Sequence, residues 1–330
     1  MTLVLTHSDV ARLMRDDPGH AQVRAAVERA HADLALGRAV VPAPPAMALD
    51  GAALIPMAAA DSASGRAAVK LLADIPGNAL RGLPVQRSAI LITSAVTGEC
   101  QALIDGRLIT AVRTAAVSAV ATAHLSRPDA TVLGLVGAGN LAVEHTRAIA
   151  AVRDIDTVVV WSRSADRIAS YRSAVADLGL AVKTAATVED VVRSADVLCT
   201  QTPAREPLVR GAWFGAGLHV NAVGAPPRAD HREVDGEGLR RSRVVVDSLP
   251  TALAKSGEVV MALAEGAVTE ADVRTELGAV IAGLAPGRVA TTDITLFNSV
   301  GLGLQDLVTA DLLLRRARAE GIGTTIDLSA

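Results

Sequence analysis

The chain has 330 residues, half of them hydrophobic, and a formal charge of −3 without blocks of like charge. That length carries about two domains, and the apolar share argues against a disordered chain. The charge balance argues against nucleic acid or a polybasic membrane contact as partner. The two cysteines, Cys100 and Cys199, form no CxxC and no metal-ligand spacing with the seven histidines. A disulfide scaffold and a structural zinc site are therefore not expected, no metal is assigned, and a reducing compartment fits. Met1-Thr2-Leu3-Val4-Leu5 lacks a basic leader, and no continuous apolar run reaches the roughly 18 residues that span a bilayer. The expectation is a cytoplasmic protein. Only three of the 32 basic residues are lysine, so Lys70, set between Ala67-Ala68-Val69 and Leu71-Leu72, stands out.

In chain order, residues 3–5 read as a strand and Thr6 to Asp9 offer helix caps. Apolar residues then recur at helical spacing over 10–36, interrupted at Pro18-Gly19. Residues 40–60 are proline-rich and extended, with a strand at Leu54-Ile55. Further strands are expected over 67–72, 88–94 and 100–104, the last two a hairpin across Thr97-Gly98. An alanine-rich helix follows over 108–125. From residue 130 strands and helices alternate: strands at 131–136, 157–161, 181–182, 197–200, 219–223 and 244–246, helices at 141–152, 165–178 and 188–194. This pattern implies a parallel sheet with helices on both faces. A closing helix is expected over 300–321.

The strand at 131–136 runs into Gly137-Ala138-Gly139-Asn140-Leu141-Ala142, a G-x-G-x-x-A turn that opens a helix. Gly137 permits the tight turn, Gly139 lets a pyrophosphate approach the backbone, and Ala142 lets helix pack on strand. The helix start at Asn140 and Leu141 offers free N–H groups and a positive dipole end. Alone, such a turn could serve packing; its flanking strand and helix point to a dinucleotide. The next strand ends Trp161-Ser162-Arg163-Ser164. NAD sites usually carry an acid there for the ribose 2′-hydroxyl, whereas an arginine suits a 2′-phosphate. Ser162 and Arg163 thus favour NADP(H), with NAD(H) as the alternative and a solvated loop arginine as the plain reading.

Several further segments carry a resemblance. Lys70 within Val69-Lys70-Leu71 is followed by Pro76-Gly77-Asn78 and Arg81-Gly82-Leu83-Pro84. Arg113-Thr114-Ala115-Ala116 precedes the glycine-rich turn, and Asn221-Ala222-Val223-Gly224-Ala225 follows it. Asp247-Ser248, Glu276-Leu277-Gly278, Ser299-Val300-Gly301 and Gln305-Asp306-Leu307 complete the series. Together, in order over residues 65–310, they resemble the ornithine cyclodeaminase/mu-crystallin family. The resemblance implies an α/β fold in which a Rossmann domain (113–299) accompanies a strand-rich substrate and dimerisation domain (1–112, with 300–330 returning to it). It also implies a homodimer, and the strand-rich N-terminal third, with sheet edges to cover, fits one.

The chemistry that the resemblance implies is hydride transfer between nicotinamide and the α-carbon of an amino or imino acid. Lys70 then corresponds to a lysine that contacts the substrate carboxylate and can donate a proton. Arg113 corresponds to the carboxylate anchor, a task suited to a guanidinium fork. Thr114, Val223 and Ser299 fall with Gly137, Gly139, Asn140, Leu141, Ser162 and Arg163 in the cofactor set. Two departures matter. Pro42-Ala43-Pro44-Pro45-Ala46 lacks the arginine of a Pro-x-Arg-Thr segment, and Ala225-Pro226-Pro227 stands where cyclodeaminases carry an aspartate, Asp230 coming only later. The expected activity is therefore an NAD(P)H-dependent imine reductase or amino-acid dehydrogenase. A cyclodeaminase-type lyase and a nucleotide-dependent ligand-binding protein are the alternatives. His219 and His231 read as packing and solvated histidines rather than as acid–base groups.

Overall fold

The computed structural model describes residues 1–15, 17–45, 47–49 and 51–328, so Ala46 of the proline-rich segment and the last two residues of the tail lie outside the described residues. Two units emerge, Met1–Arg113 with Leu302–Ala330, and Thr114–Gly301.

The chain opens with β1 (Thr2–Leu5), α1 (His7–Leu13) and α2 (Asp17–Ala35). The helix expected over 10–36 is thus two helices. Thr6 and Asp9 form a capping box on α1, and α2 starts at Asp17, so Pro18 falls in a first turn, where a missing N–H costs little. Next come β2 (Ala39–Val40), β3 (Met47–Leu49), β4 (Ala52–Asp61), β5 (Arg66–Asp74), β6 (Gln86–Ser94), β7 (Cys100–Asp105) and α3 (Arg107–Leu125). The unit boundary falls inside α3.

The second unit continues with β8 (Val132–Val136), α4 (Asn140–Ala150), β9 (Thr157–Trp161), α5 (Ala165–Ala174), β10 (Ala181–Thr184), α6 (Val188–Ser194), β11 (Val197–Thr200) and β12 (His219–Ala222). After these come α7 (Gly236–Arg240), β13 (Arg243–Val246), α8 (Leu249–Lys255), α9 (Gly257–Ala264), β14 (Thr275–Glu276), α10 (Leu277–Ile281) and β15 (Thr295–Asn298). The chain then returns to the first unit as α11 (Gly303–Glu320) and β16 (Thr324–Ile326).

The first unit is built on a sheet ordered β16-β1-β7-β6-β5-β4-β2, with β3 on β4. Alternation sorts its side chains. One register row runs Met57, Lys70, Ile90, Ile104 on the buried face. The adjacent row carries Val69, Leu91 and Leu103 on the other face, 40%, 40% and 42% exposed, beside Leu71 at 43%. α11 covers the buried face, and its first residue shows how closely: a Cβ on Gly303 would lie 2.6 Å from the Ala58 carbonyl oxygen.

The second unit is an all-parallel sheet ordered β10-β9-β8-β11-β12-β15-β13-β14. Its α/β, Rossmann-like form is the expected one. One face buries Leu133, Leu135, Val158 and Val160 with Ala142, Ile149 and Tyr171. The other buries Val136, Val159, Leu198 and Val220 with Val191, Leu239 and Val259. The order reverses at β8, whose neighbours are β9 and β11, so the loops after β8 and β11 diverge and leave a crevice at the carboxyl edge. Among the described residues α3 is the one helix long and apolar enough to cross a membrane, yet 72% of its apolar window is buried in protein. Arg113 and His124 interrupt the apolar run of α3, so the sequence shows no continuous apolar stretch there.

Candidate active site and cofactor site

Lys70 is a charged residue placed by strand alternation in a core row, and it is 1% exposed. Its Nζ lies 2.7 Å from Asp306 Oδ2. Arg113, on the first half of α3, donates through Nε to the other oxygen of Asp306 at 3.1 Å and through Nη1 to Gln305 Oε1 at 2.8 Å. Gln305 Nε2 meets His31 Nε2 of α2 at 3.1 Å. Burial pushes His31 down to about 4, so its ring is neutral at pH 7 and Nε2 accepts from the Gln305 amide. That bond turns Oε1 of Gln305 toward Arg113, since a flipped amide would face the guanidinium with a second donor. The Gly303 approach to β4 brings Gln305 and Asp306, in the first turn of α11, over Lys70.

Two cations share one anion in a site closed to water. The uncompensated positive charge suits an anionic ligand, a carboxylate above all, because buried charge demands a partner. Burial, followed by the Arg113 charge, pushes Lys70 down from its ordinary value to about 8, while Asp306 opposes the fall. Such an amine is largely charged at pH 7 and gives up its proton readily. The structure thus brings the expected pair, Lys70 and Arg113, onto a common partner. Asp306 and Gln305 were visible in sequence only as motif residues, and His31 carried no signal on its helix.

The glycine-rich turn fits a pyrophosphate. Gly137 has φ +116°, a conformation open to glycine. Above Gly139 a Cβ would meet nothing within 4 Å, so the backbone there is open to a ligand. Gly139 caps α4 without any side-chain hydrogen bond, which leaves the first-turn N–H groups, Asn140 and Leu141 among them, facing outward. Ala142 is fully buried against the sheet. A hollow beside the turn is lined by Gly139, Asn140, Ser164, Asp166 and Arg167, among others. Ser164 caps α5 by accepting from Arg167 N–H at 3.3 Å, and Ser162 accepts from Ser164 N–H at 3.3 Å. Arg163 is exposed next to these residues and does not line the hollow. Arg167 was not singled out in sequence. Its signal is a cation in the first turn of a helix, where the dipole disfavours one unless an anion binds.

The other expected positions are spread along the carboxyl edge of the sheet and the start of the unit. Val223 directly follows β12 and is buried. Ser299 directly follows β15 and donates to Asp247 Oδ2 at 2.7 Å, an oxygen that also receives Gly301 N–H at 2.9 Å. Thr114 is buried in α3. His219 lies inside β12 against Thr295 Oγ1 at 2.9 Å, pushed down to about 3 by burial and then by Arg288. His231, expected to be solvated, is buried instead, because it packs under its loop with its side chain 9% exposed; it pairs at 2.9 Å with Asp230, whose own side chain is 63% exposed. Neither histidine sits with Lys70 and Arg113 in the buried cluster.

The model of the ornithine cyclodeaminase/mu-crystallin family matches residues 2–321. A Δ1-pyrroline-2-carboxylate reductase of Thermococcus litoralis, solved with NADH and L-proline, superposes with a TM-score of 0.94 at 34% identity, over 98% of this chain and 100% of that one. An archaeal alanine dehydrogenase, solved as a dimer with NAD, gives a TM-score of 0.93 at 32% identity over 99% of both chains. The ketimine reductase mu-crystallin of Mus musculus is 36% identical over 257 residues, 78% of each chain. The chain belongs to the ornithine cyclodeaminase/mu-crystallin family.

Proposed function

We propose that this chain is an NAD(P)H-dependent oxidoreductase that moves hydride between the nicotinamide and the α-carbon of an imino or amino acid, with a cyclic or N-substituted α-imino acid as the substrate reduced. The observation that carries this reading is the buried cluster in which Lys70 and Arg113 share Asp306. A bound cofactor supplies or accepts the hydride. Arg113 holds the substrate carboxylate, Lys70 gives its proton to the nitrogen as the C=N bond becomes C–N, and the exclusion of water strengthens both contacts. In this reading the first unit holds the substrate and the second the cofactor. Ala225, Pro226 and Pro227 are buried and offer no group to a distal amine, which favours the reductase over a cyclodeaminase.

A panel of cyclic imines, and of pyruvate with ammonia or methylamine, tests this by consumption of reduced cofactor. We expect turnover with at least one imine and little or no proline from ornithine. Redox-neutral conversion of ornithine to proline would overturn the reading. In the same assays we expect NADPH to bind more tightly than NADH, supported by Arg163 and Arg167 and by Ser162-Arg163-Ser164, a segment without an acid, directly after β9. Arg163→Ala should cost NADPH about 1.5–3 kcal/mol, the scale of a charged hydrogen bond, and leave NADH nearly unchanged. Equal affinities for the two cofactors in the unsubstituted protein would refute the preference.

We propose further that a second copy of the chain covers the outward row of Val69, Leu71, Leu91 and Leu103. A contiguous apolar sheet face of this kind marks an interface, and a homodimer meets it with itself. Leu91→Lys should shift the mass in light scattering from dimer toward monomer. A monomeric mass for the unsubstituted chain at every concentration contradicts the proposal.

A further inference from the structure

Glu233 lies in the loop that leads from β12 to α7, and it is fully buried. Its carboxylate is saturated. Oε2 accepts from Thr200 Oγ1 at 2.7 Å and from Gly224 N–H at 2.7 Å. Oε1 accepts from Thr202 N–H at 2.6 Å and from Thr202 Oγ1 at 2.8 Å. Thr200 ends β11, Thr202 follows it, and Gly224 follows Val223 after β12. One side chain therefore ties together the loops that leave two neighbouring strands. The loops touch: a Cβ on Gly224 would lie 2.2 Å from Thr202 N. Glu233 is itself held, since Leu208 N–H and Val209 N–H donate to its carbonyl oxygen at 2.9 Å each. Its own N–H donates to Glu258 Oε1 at 2.9 Å. Ser256 then carries the network to Asn298, at the end of β15, through a bond of 2.7 Å.

We propose that Glu233 is a positioning residue for the nicotinamide half of the cofactor, acting through the loops 200–202 and 223–224 that it clips together. The proposal rests on the cofactor reading above. A dinucleotide at a crevice of this type lays its pyrophosphate on the turn after the first strand and its two nucleosides on opposite halves of the sheet. Gly137 to Leu141 is that turn. Arg163, Ser164 and Arg167 mark the adenosine half, on the β9 side. The nicotinamide half then falls on the side of β11, β12 and β15, whose loops Glu233 and its network join. Burying an ion costs several kcal/mol unless donors surround it; here the donors are two backbone N–H groups and two hydroxyls, so the bonds set the backbone itself.

Glu233→Gln tests the assignment. The threonine hydroxyls can rotate to accept, but backbone N–H groups cannot. Whichever way the amide sits, either Gly224 N–H or Thr202 N–H loses its acceptor, and the two loops part. Isothermal titration then compares the full reduced cofactor with ADP-ribose, 2′-phosphorylated if NADPH is the preferred form, which lacks the nicotinamide. We expect the full cofactor to bind about 10–100-fold more weakly, the scale of one lost charged hydrogen bond, with the fragment unchanged. Thr200→Val, which removes one hydroxyl donor, should show the same selectivity with a smaller loss and serves if the glutamine variant does not fold. Equal losses for both ligands, or no loss for either, would overturn the proposal. Failure of the unsubstituted chain to bind the fragment would instead overturn the cofactor reading itself.

Discussion

Replacing Lys70 with methionine should lower kcat for imine reduction by roughly 10²–10⁴-fold, the range for a positioned general acid. Methionine keeps the stem in the row between Met57 and Ile90 and removes only the charge and the proton. Cofactor affinity should stay near that of the unsubstituted chain, because Gly137 to Leu141 belongs to the other unit. The fold should survive as well. Burial pushes Lys70 down from 10.5 to about 8, so the folded state favours the neutral amine. Between those two values the unfolded chain binds more protons than the folded one, and stability rises with pH across that window. Below about 8 the charged amine in the core opposes folding, and methionine removes that cost. A melting temperature at pH 7 close to or above the original, together with the fall in kcat, is the expected signature. The alkaline limb of the reductive pH profile, centred near 8, should disappear with the lysine. Full imine-reducing activity in the variant would remove Lys70 from the reaction.

Much of the fold and of the buried cluster is legible in the sequence, and the reasons are local. Gly137-Ala138-Gly139 shows its role through backbone demands that a strand–turn–helix of about a dozen residues contains within itself. Lys70 was legible because it breaks an apolar alternation in a chain with almost no lysine. What the sequence does not show depends on distant pairing. Arg113 stands out by its motif, but its partner Asp306 is 193 positions away, and only the return of α11 onto β4 and β5 makes them partners. His31 sits on a helix where a histidine at an inward position looks like any buried residue; its bond to Gln305 spans 274 positions. The strand β15 was overlooked for a related reason. Thr295 to Asn298 is four residues long with no alternation to read, and it becomes a strand by pairing with β12 and β13 on its two sides. Glu233 falls under the same rule, a charged loop residue by sequence and a fully buried clip once β11 and β12 lie side by side.

Asp306→Asn should have the second large effect, and its direction follows from the charges around Lys70. Asp306 is the group that raises the affinity of Lys70 for its proton, and Arg113 lowers it. Without the carboxylate, burial and Arg113 act unopposed, so Lys70 falls below about 8. The alkaline limb of kcat/KM for imine reduction should move to lower pH by a unit or more, a shift worth about 1.4 kcal/mol per unit. At pH 6 much of the activity should return, because the amine is again charged. Stability should fall by about 3–5 kcal/mol, as it does when one partner of a buried ionic cluster is removed and the other charges remain. In Asp306→Gly, which unlike the isosteric asparagine empties the place between Lys70 and Arg113, acetate should recover part of the lost stability, since a small carboxylate can enter there and stabilises the folded state by mass action. The same vacancy should make carboxylate-bearing inhibitors bind more tightly to the glycine variant than to the original. Steady-state pH profiles and thermal melts with and without acetate read out all three effects. An alkaline limb that stays in place would mean that Asp306 does not govern the proton on Lys70, whatever happens to stability.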